Sequence, residues 1–367
     1  MNNAELMMEQ VKAVWNFDFE AVTSNQVHRA LAKERLALDD LGVLLSPAGF
    51  LHIEEMALKA REVTARFFGR NIALYTPLYI ANHCVNECSY CGYNLRNHIR
   101  RAKLSFKEIE TEAEAIAATG LTEILLLTGE SRVKSDVDYI AGAVKILARH
   151  FRCVGIEVYP MNVDEYRQIQ QAGADYVSVY QETYDPDLYD RVHLSGPKKD
   201  YAWRFGANQR ALEAGFRGVS FGALLGLGDF RRDVLATGAH AELIARKYPQ
   251  AEISFSTPRL RPFPNQEKNE SHVGEAELAQ VILALRLFMP WAGLSLSTRE
   301  RAEFRDHLIG LGITRLSAGV ETGVGGHSGE GKGDEQFHKS DGRSVEEVRR
   351  AIAAKGCQPV FNDYVRV

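Results

Sequence analysis

The sequence has no apolar run long enough to cross a membrane. Its longest stretch without a charged residue, Asn71 to Asn86, is 16 residues long and contains Asn, Thr, Pro and His, short of the roughly 20 apolar residues a spanning helix needs. No membrane role is expected. An excess of positive charge is missing too. The 44 Lys and Arg stand against 48 Asp and Glu, a formal net charge of −4, which argues against binding nucleic acid by wrapping it. The opening MNNAELMMEQ has no basic segment followed by an apolar one, so no secretory signal is expected. A disulfide framework is also absent: the cysteines number five, and three of them fall within eight residues. That grouping reads as a metal or cluster site in a reducing cytosol.

What remains is a globular chain. Of 367 residues, 45% are hydrophobic and 25% charged, ordinary values for a packed domain. Residues 1–68 read as a helical extension, with apolar faces at Val11–Phe17, Ala30–Leu45 and Leu51–Phe68. From residue 69 to 320 short apolar runs alternate with amphipathic stretches. Expected strands are Ile72–Ile80, Glu123–Leu127, Cys153–Val158, Tyr176–Tyr180, Gly218–Ala223, Glu252–Ser256, Leu294–Ser297 and Thr314–Ala318. Expected helices are Ser105–Thr119, Val137–His150, Val163–Ala172, Lys198–Ala214, Arg231–Lys247, Gly274–Phe288 and Arg299–Leu308. Gly120, Gly173, Gly215 and Gly312 stand where helix C-caps belong, and Ser105 with Glu108 fits a capping box. Eight strands alternating with helices point to a (β/α)8 barrel of the TIM type, although a doubly wound open sheet would give a similar string. Residues 321–367 read as a segment that closes the barrel. They comprise a mobile Gly-rich loop, Gly319–Gly333, that starts at the end of the eighth strand, a helix over Arg343–Lys355 and a short tail from Cys357.

The chemistry concentrates at Cys84, Cys88 and Cys91, a C-x3-C-x2-C run directly after the first expected strand. That is the end of a barrel where active sites lie. Three thiolates on one loop can hold three irons of a [4Fe–4S] cube and leave the fourth open to a small molecule. Zinc is the rival, with His83 or His98 as fourth ligand. A structural zinc site would more often bring a second CxxC pair, and none exists elsewhere.

C-x3-C-x-Φ-C, with Tyr90 at the aromatic position, resembles the signature of radical S-adenosylmethionine (SAM) enzymes. In that family the unique iron binds SAM, and the reduced cluster cleaves it to a 5′-deoxyadenosyl radical that abstracts hydrogen. LYIANHCVNECSYCGY, LLLTGE, VYQETYDPDLY, FGALLGLGD, PRLRPF, LSLSTRE and KSDGRSVEEVRRAIAAKGCQPVFNDY, in that order within a resemblance that runs from about Leu41 to Tyr364, are similar to the tyrosine lyases of that superfamily, the 2-iminoacetate synthases of thiamine thiazole synthesis. The tyrosine lyase of hydrogenase maturation shares most of these motifs but adds cysteines for a second cluster, and here Cys357 stands alone. A tryptophan lyase of the type that makes 3-methyl-2-indolic acid is the alternative within the superfamily. A zinc-holding interaction module is the alternative outside it.

The resemblance implies roles for particular residues. Thr128, Gly129 and Glu130 fall where the superfamily receives the SAM amino group. Gln181 and Glu182 fall where it contacts ribose, and Arg204 where some relatives pair the SAM carboxylate. Glu157 either lines the SAM site or is buried against an arginine. Arg299 is expected to hold the substrate carboxylate with two parallel hydrogen bonds, unless it pairs with Glu300 or Glu303. Tyr79 and Ser317 match substrate-holding positions of the tryptophan enzyme, and Arg259 and Arg261 are expected to add positive potential to the mouth. The implied substrate is L-tyrosine and the products are 2-iminoacetate and p-cresol. The implied partners are the thiazole synthase ThiG and a low-potential reductant of flavodoxin or ferredoxin type, in the cytoplasm.

Overall fold

The computed structural model describes residues 3–263, 272–329 and 331–361. Its centre is a sheet of parallel strands, β1 Asn71–Ala81, β2 Glu123–Thr128, β3 Cys153–Glu157, β4 Tyr176–Ser178, β5 Gly218–Phe221, β6 Glu252–Ser256, β7 Gly293–Leu296 and β8 Arg315–Ser317. Neighbours in sequence are neighbours in space, β8 pairs with β1, and β1 pairs with β2. The sheet therefore closes as an eight-stranded barrel, which settles the choice against an open sheet. Strands buried on both faces need continuous apolar runs, and β1 is buried at every residue after Asn71. The register puts Tyr79 of β1 beside Leu127 of β2, and Leu127 beside Glu157 of β3. One layer at the C-terminal rim thus carries both a phenol and a carboxylate.

The helices follow local signals. Ser105 accepts from the Glu108 amide while Glu108 returns a bond to Ser105 N at 2.7 Å, the expected capping box. Gly120, Gly173 and Gly215 take left-handed φ values. The fourth expected cap is different: Gly310 takes the left-handed turn, with φ 82°, and Gly312 instead lets the chain lie against Ile282. The single helix expected over Lys198–Ala214 is a turn at Pro197–Lys199 followed by helices Tyr201–Phe205 and Ala207–Glu213, broken at Gly206. The helix expected from Arg299 begins at Ala302, which frees Arg299 for the rim. Pro186–Val192 is a further helix, capped by Asp185, which accepts from the amides of Asp187 and Leu188.

Before β1 lie helices Asn3–Ala13, Ser24–Ala32, Leu38–Leu45, Pro47–Phe50 and Ile53–Phe68. They pack on the outside of the barrel helices. Buried Gln280 pins them there, donating to the carbonyls of Leu44 at 2.7 Å and Ser46 at 2.9 Å. After β8 the Gly-rich segment is folded onto the mouth rather than loose. Val324 is fully buried and bridges both Tyr79 and Gly333, and the carboxylate of Glu112 accepts from the amides of His327 and Ser328. The expected tail contains one more strand, β9 Gln358–Val360, which pairs with the start of β1. No described helix is long and apolar enough to cross a membrane.

Candidate active site

The site residues named above lie at the C-terminal ends of barrel strands or in the segments that follow them, Arg204 on the helix Tyr201–Phe205, where parallel barrels place their sites. The loop after β1 is tied to three neighbours. The amide of Val85 donates to the Glu130 carbonyl at 2.9 Å, Glu87 donates to the Ser195 carbonyl and accepts from the Leu194 amide in the segment after β4, and the amide of Gly92 donates to the Gln336 carbonyl at 3.2 Å. The three cysteines are not disulfide-bonded. Burial pushes Cys88 up to about 12, with Lys198 opposing and the neighbouring Cys91 and Cys84 adding to the rise. Three crowded thiols resist ionising together until a cationic centre compensates them.

The sulfur spacing separates the two metal readings. Sulfurs around one tetrahedral zinc, each about 2.3 Å from the metal, would lie about 3.8 Å apart. Among the described residues only the surface trio His28, His52 and Glu55 brings three ligand atoms within 4.8 Å of one another; the cysteine sulfurs do not. No histidine joins them, so a single zinc ion does not fit. Ligands on separate irons of a cube sit farther apart, and the donor set suits a three-thiolate [4Fe–4S] cluster.

Beside the cysteines, Asn86 spans the gap to β2. Its Nδ2 donates to Glu130 Oε2 at 2.6 Å and lies 3.7 Å from Cys84 Sγ, while its Oδ1 accepts from the amide of Lys198 at 2.9 Å. Gly129 is required here, since a Cβ would collide with the carbonyl of His83. The hydroxyl of Thr128 is buried and unpartnered among the described residues, a polar atom facing no protein group. Glu182 is the only non-glycine among the described residues with left-handed φ, at 73°, a cost that structures keep mainly at functional sites. Lys198 Nζ lies 2.6 Å and Arg204 Nη2 3.2 Å from its Oε1. Burial alone would raise Glu182, but these two cations outweigh it and bring its carboxyl down to about 2. Arg204, half-buried, is thus engaged in the site. Gln181 is buried behind Glu182.

These groups border a cavity in the barrel mouth lined by Tyr79, Tyr90, Cys91, Glu157, Glu182, Arg299 and Ser317 among the expected residues. Arg299 lies over the Phe337 ring at 3.5 Å from its centroid. Its expected competitors are occupied elsewhere: Glu300 holds Arg259 and Glu303 holds Arg301. Arg299 has no carboxylate partner among the described residues. Arg259 is buried, donating through Nε to Glu300 at 3.0 Å and through Nη1 to the Val273 carbonyl at 2.7 Å. Its charge is therefore neutralised and does not add to the mouth as expected. Arg261 does line the cavity. Glu157 accepts no hydrogen bond from any described residue. Burial raises its carboxyl to about 7, Arg299 pulling the other way and Glu182 adding to the rise.

Three residues not anticipated complete the site. Lys198 holds Glu182. His193 receives the Tyr90 hydroxyl at 2.6 Å. Gln336 accepts from the Tyr79 hydroxyl at 3.2 Å, and its Nε2 lies 3.6 Å from Cys91 Sγ. The last comes from the segment after β8, some 245 residues from Cys91.

A parallel barrel with a three-cysteine loop after β1 and a buried acid–base rim defines a radical SAM enzyme, and the Radical SAM superfamily model matches residues 78–241. A Biotin and Thiamin Synthesis associated domain matches residues 256–358. The 2-iminoacetate synthases of Salmonella typhimurium and Escherichia coli are each 39% identical over 343 residues, covering 93% of this chain and 91% of theirs. The chain belongs to the 2-iminoacetate synthase family. The [FeFe]-hydrogenase maturase HydG from Carboxydothermus hydrogenoformans is similar in structure, with a TM-score of 0.89 at 30% identity, covering 98% of this chain and 86% of that one. The cofactors are accordingly a [4Fe–4S] cluster and S-adenosylmethionine.

Proposed function

We propose that this chain is a lyase that cleaves the Cα–Cβ bond of L-tyrosine, giving 2-iminoacetate and p-cresol, and so supplies the two-carbon imine for the thiazole of thiamine. The observation that carries this reading is the pairing of uncommitted charges in the mouth. Arg299, a cation without a carboxylate ion-pair partner among the described residues, and Glu157, a carboxylate without a hydrogen bond from any of them, line one cavity. An amino acid offers the complement of both. Tyr75, Tyr180, Ser256 and Ser317, all hydroxyl-bearing, line the same cavity; a phenol can both donate to and accept from such groups whereas an indole N–H can only donate, which favours tyrosine over tryptophan.

Cys84, Cys88 and Cys91 would hold the cluster. Thr128, Gly129 and Glu130 would receive the amino group of SAM, Gln181 and Glu182 its ribose, and Arg204 its carboxylate, with Tyr90 packed beside them. Together these cofactors supply one-electron chemistry that removes a hydrogen atom from the substrate nitrogen. The protein's own part is to fix geometry. Arg299 holds the substrate carboxylate, Tyr79 and Ser317 bound the substrate, and the barrel segment 69–320 carries the site. The 1–68 helices buttress it, and 321–367 excludes water by closing over it. 2-Iminoacetate hydrolyses readily, so a nearby acceptor of the ThiG thiazole-synthase type is part of the reading. So are a flavodoxin- or ferredoxin-type reductant and a reducing, cytoplasmic location. Anaerobic turnover of L-tyrosine by reconstituted enzyme, followed by chromatography for p-cresol and 5′-deoxyadenosine, tests it. Absence of p-cresol from enzyme with full iron content would overturn it.

A further inference from the structure

We propose that Glu157 is the proton acceptor for the ammonium group of the substrate, delivering the neutral amine from which hydrogen is then removed. The inference rests on the reading above, in which the substrate is an amino acid that loses hydrogen from nitrogen. At neutral pH an α-amino group is largely protonated. An ammonium nitrogen has no lone pair to stabilise the radical that hydrogen loss would leave, so a base must act first.

The buried and half-buried acids of this chain differ in how they are held. Glu182 is held by Lys198 and Arg204, Glu300 by Arg259, and Asp341 by Arg305 and Arg343. Asp233 accepts from the amide of Tyr184 at 2.6 Å and the hydroxyl of Thr183 at 3.0 Å. Glu157 has none of this. It lines the cavity in the same strand layer as Tyr79, at the end of β3. The groups that face it are accounted for. Tyr75 and Tyr79 from β1, and Tyr176 and Tyr180 from β4 and its end, are phenols that burial raises, so they stay protonated and accept no proton. Glu182, just beyond β4, is held down to about 2 and is too weak a base at neutral pH. Lys198 and Arg204 are committed to it. Arg299, beyond β7, is a cation left for the substrate carboxylate. β2 presents Leu125 and Leu127, which do not titrate. Glu157 is therefore the one uncommitted base facing this cavity among the described residues, and burial sets it near neutrality, where a general base works best.

The step balances without a further reagent. One proton passes from the substrate nitrogen to a carboxylate oxygen of Glu157. An ammonium and a carboxylate become an amine and a carboxylic acid; no carbon bond changes and nothing is oxidised.

The experiment compares wild type with Glu157→Gln, both reconstituted anaerobically with iron and sulfide and supplied with SAM, dithionite and L-tyrosine. Rates are followed from about pH 6 to about pH 9, and L-tyrosine affinity is measured separately by equilibrium dialysis. The expected wild-type kcat/KM has an acid limb near pH 7. The expected variant retains its iron and binds tyrosine within about threefold of wild type, yet at pH 7 is slower by about 10²–10⁴-fold. Its rate then climbs about tenfold per pH unit as solution pH supplies the free amine, narrowing the gap by about a hundredfold by pH 9. A variant whose pH profile parallels wild type, or whose loss lies only in tyrosine affinity, would overturn the proposal. If the variant does not fold, the wild-type profile decides: an acid limb near 7 supports the role, and a flat profile from pH 6 to 8 overturns it. Wild type that makes no p-cresol at all would instead overturn the proposed function.

Discussion

The hydroxyl of Tyr90, between Cys88 and Cys91, donates to Nε2 of His193 at 2.6 Å. The direction follows from the other ring nitrogen: Nδ1 of His193 donates to the Tyr189 carbonyl at 2.8 Å, so Nε2 carries the lone pair. Burial holds His193 down to about 3, so the ring stays neutral. The two rings meet edge to face, with centroids 5.5 Å apart. Cys88 and His193 also share a backbone bridge. The cluster loop is thereby lashed to the segment after β4. In Tyr90→Phe the ring packing survives, but Nε2 of a buried histidine loses its donor, a cost of roughly 1–3 kcal/mol. Thermal unfolding should shift down, and a chelator should strip iron from the variant faster than from wild type.

Arg299 supplies a second test. Its value at the mouth lies in a planar fork that can clasp a carboxylate in one orientation. Arg299→Lys keeps the charge and loses the fork. We expect kcat/KM for tyrosine to fall by at least tenfold while iron content stays at the wild-type level, with more unproductive SAM cleavage per p-cresol formed. Steady-state kinetics with both products quantified would check this.

Most of the barrel was legible in the sequence because its strands are continuously apolar and its helices carry their own caps, as Ser105 and Glu108 do. The roles proposed for residues near the cysteine motif and at strand ends come from the family resemblance, which short local motifs carry. What was not legible is non-local. Gln336 reaches Cys91 and Tyr79 across the chain, and nothing in its neighbourhood marks it. Arg259 looked like a free cation until Glu300, 41 residues on, was found against it. Lys198 stood at the start of an apparent helix, whereas it belongs to the turn Pro197–Lys199 that precedes the first of two shorter helices. Pro186–Val192 could have been found, since Asp185 followed by Pro186 is a helix-start signal. The strand at Gln358–Val360 is too short to show a period.

Glu157 carries a stability cost as well as a proposed role. Its folded pKa, about 7, lies above the usual carboxylate value of 4.5. Between those values the folded chain binds the proton more tightly than the unfolded one, so Glu157 makes stability fall as pH rises from about 4.5 through about 7. Glu157→Gln removes that penalty. The variant should be more stable than wild type to denaturant at pH 8, and the difference should vanish near pH 4.5. Neutral buried His193 and His240 act oppositely, both being held down to about 3, but they are common to both proteins and cancel in the comparison.

Cys88→Ala should remove the cluster and leave the barrel. The loop around it is held by backbone bonds of Glu87 and Ser89 to Val192, Leu194 and Ser195 in the segment after β4, none of which needs the thiol. Iron and sulfide should drop to background while the far-ultraviolet circular dichroism spectrum is unchanged. A variant that unfolds would show the metal to be a structural staple.

The most direct test of the account is product analysis under strict anaerobiosis, with tyrosine, tryptophan and phenylalanine offered in turn to enzyme of verified cluster content. The account predicts p-cresol, glyoxylate from hydrolysed 2-iminoacetate, and 5′-deoxyadenosine, from tyrosine alone. An indolic acid from tryptophan, or no aromatic product from any of the three, would contradict it.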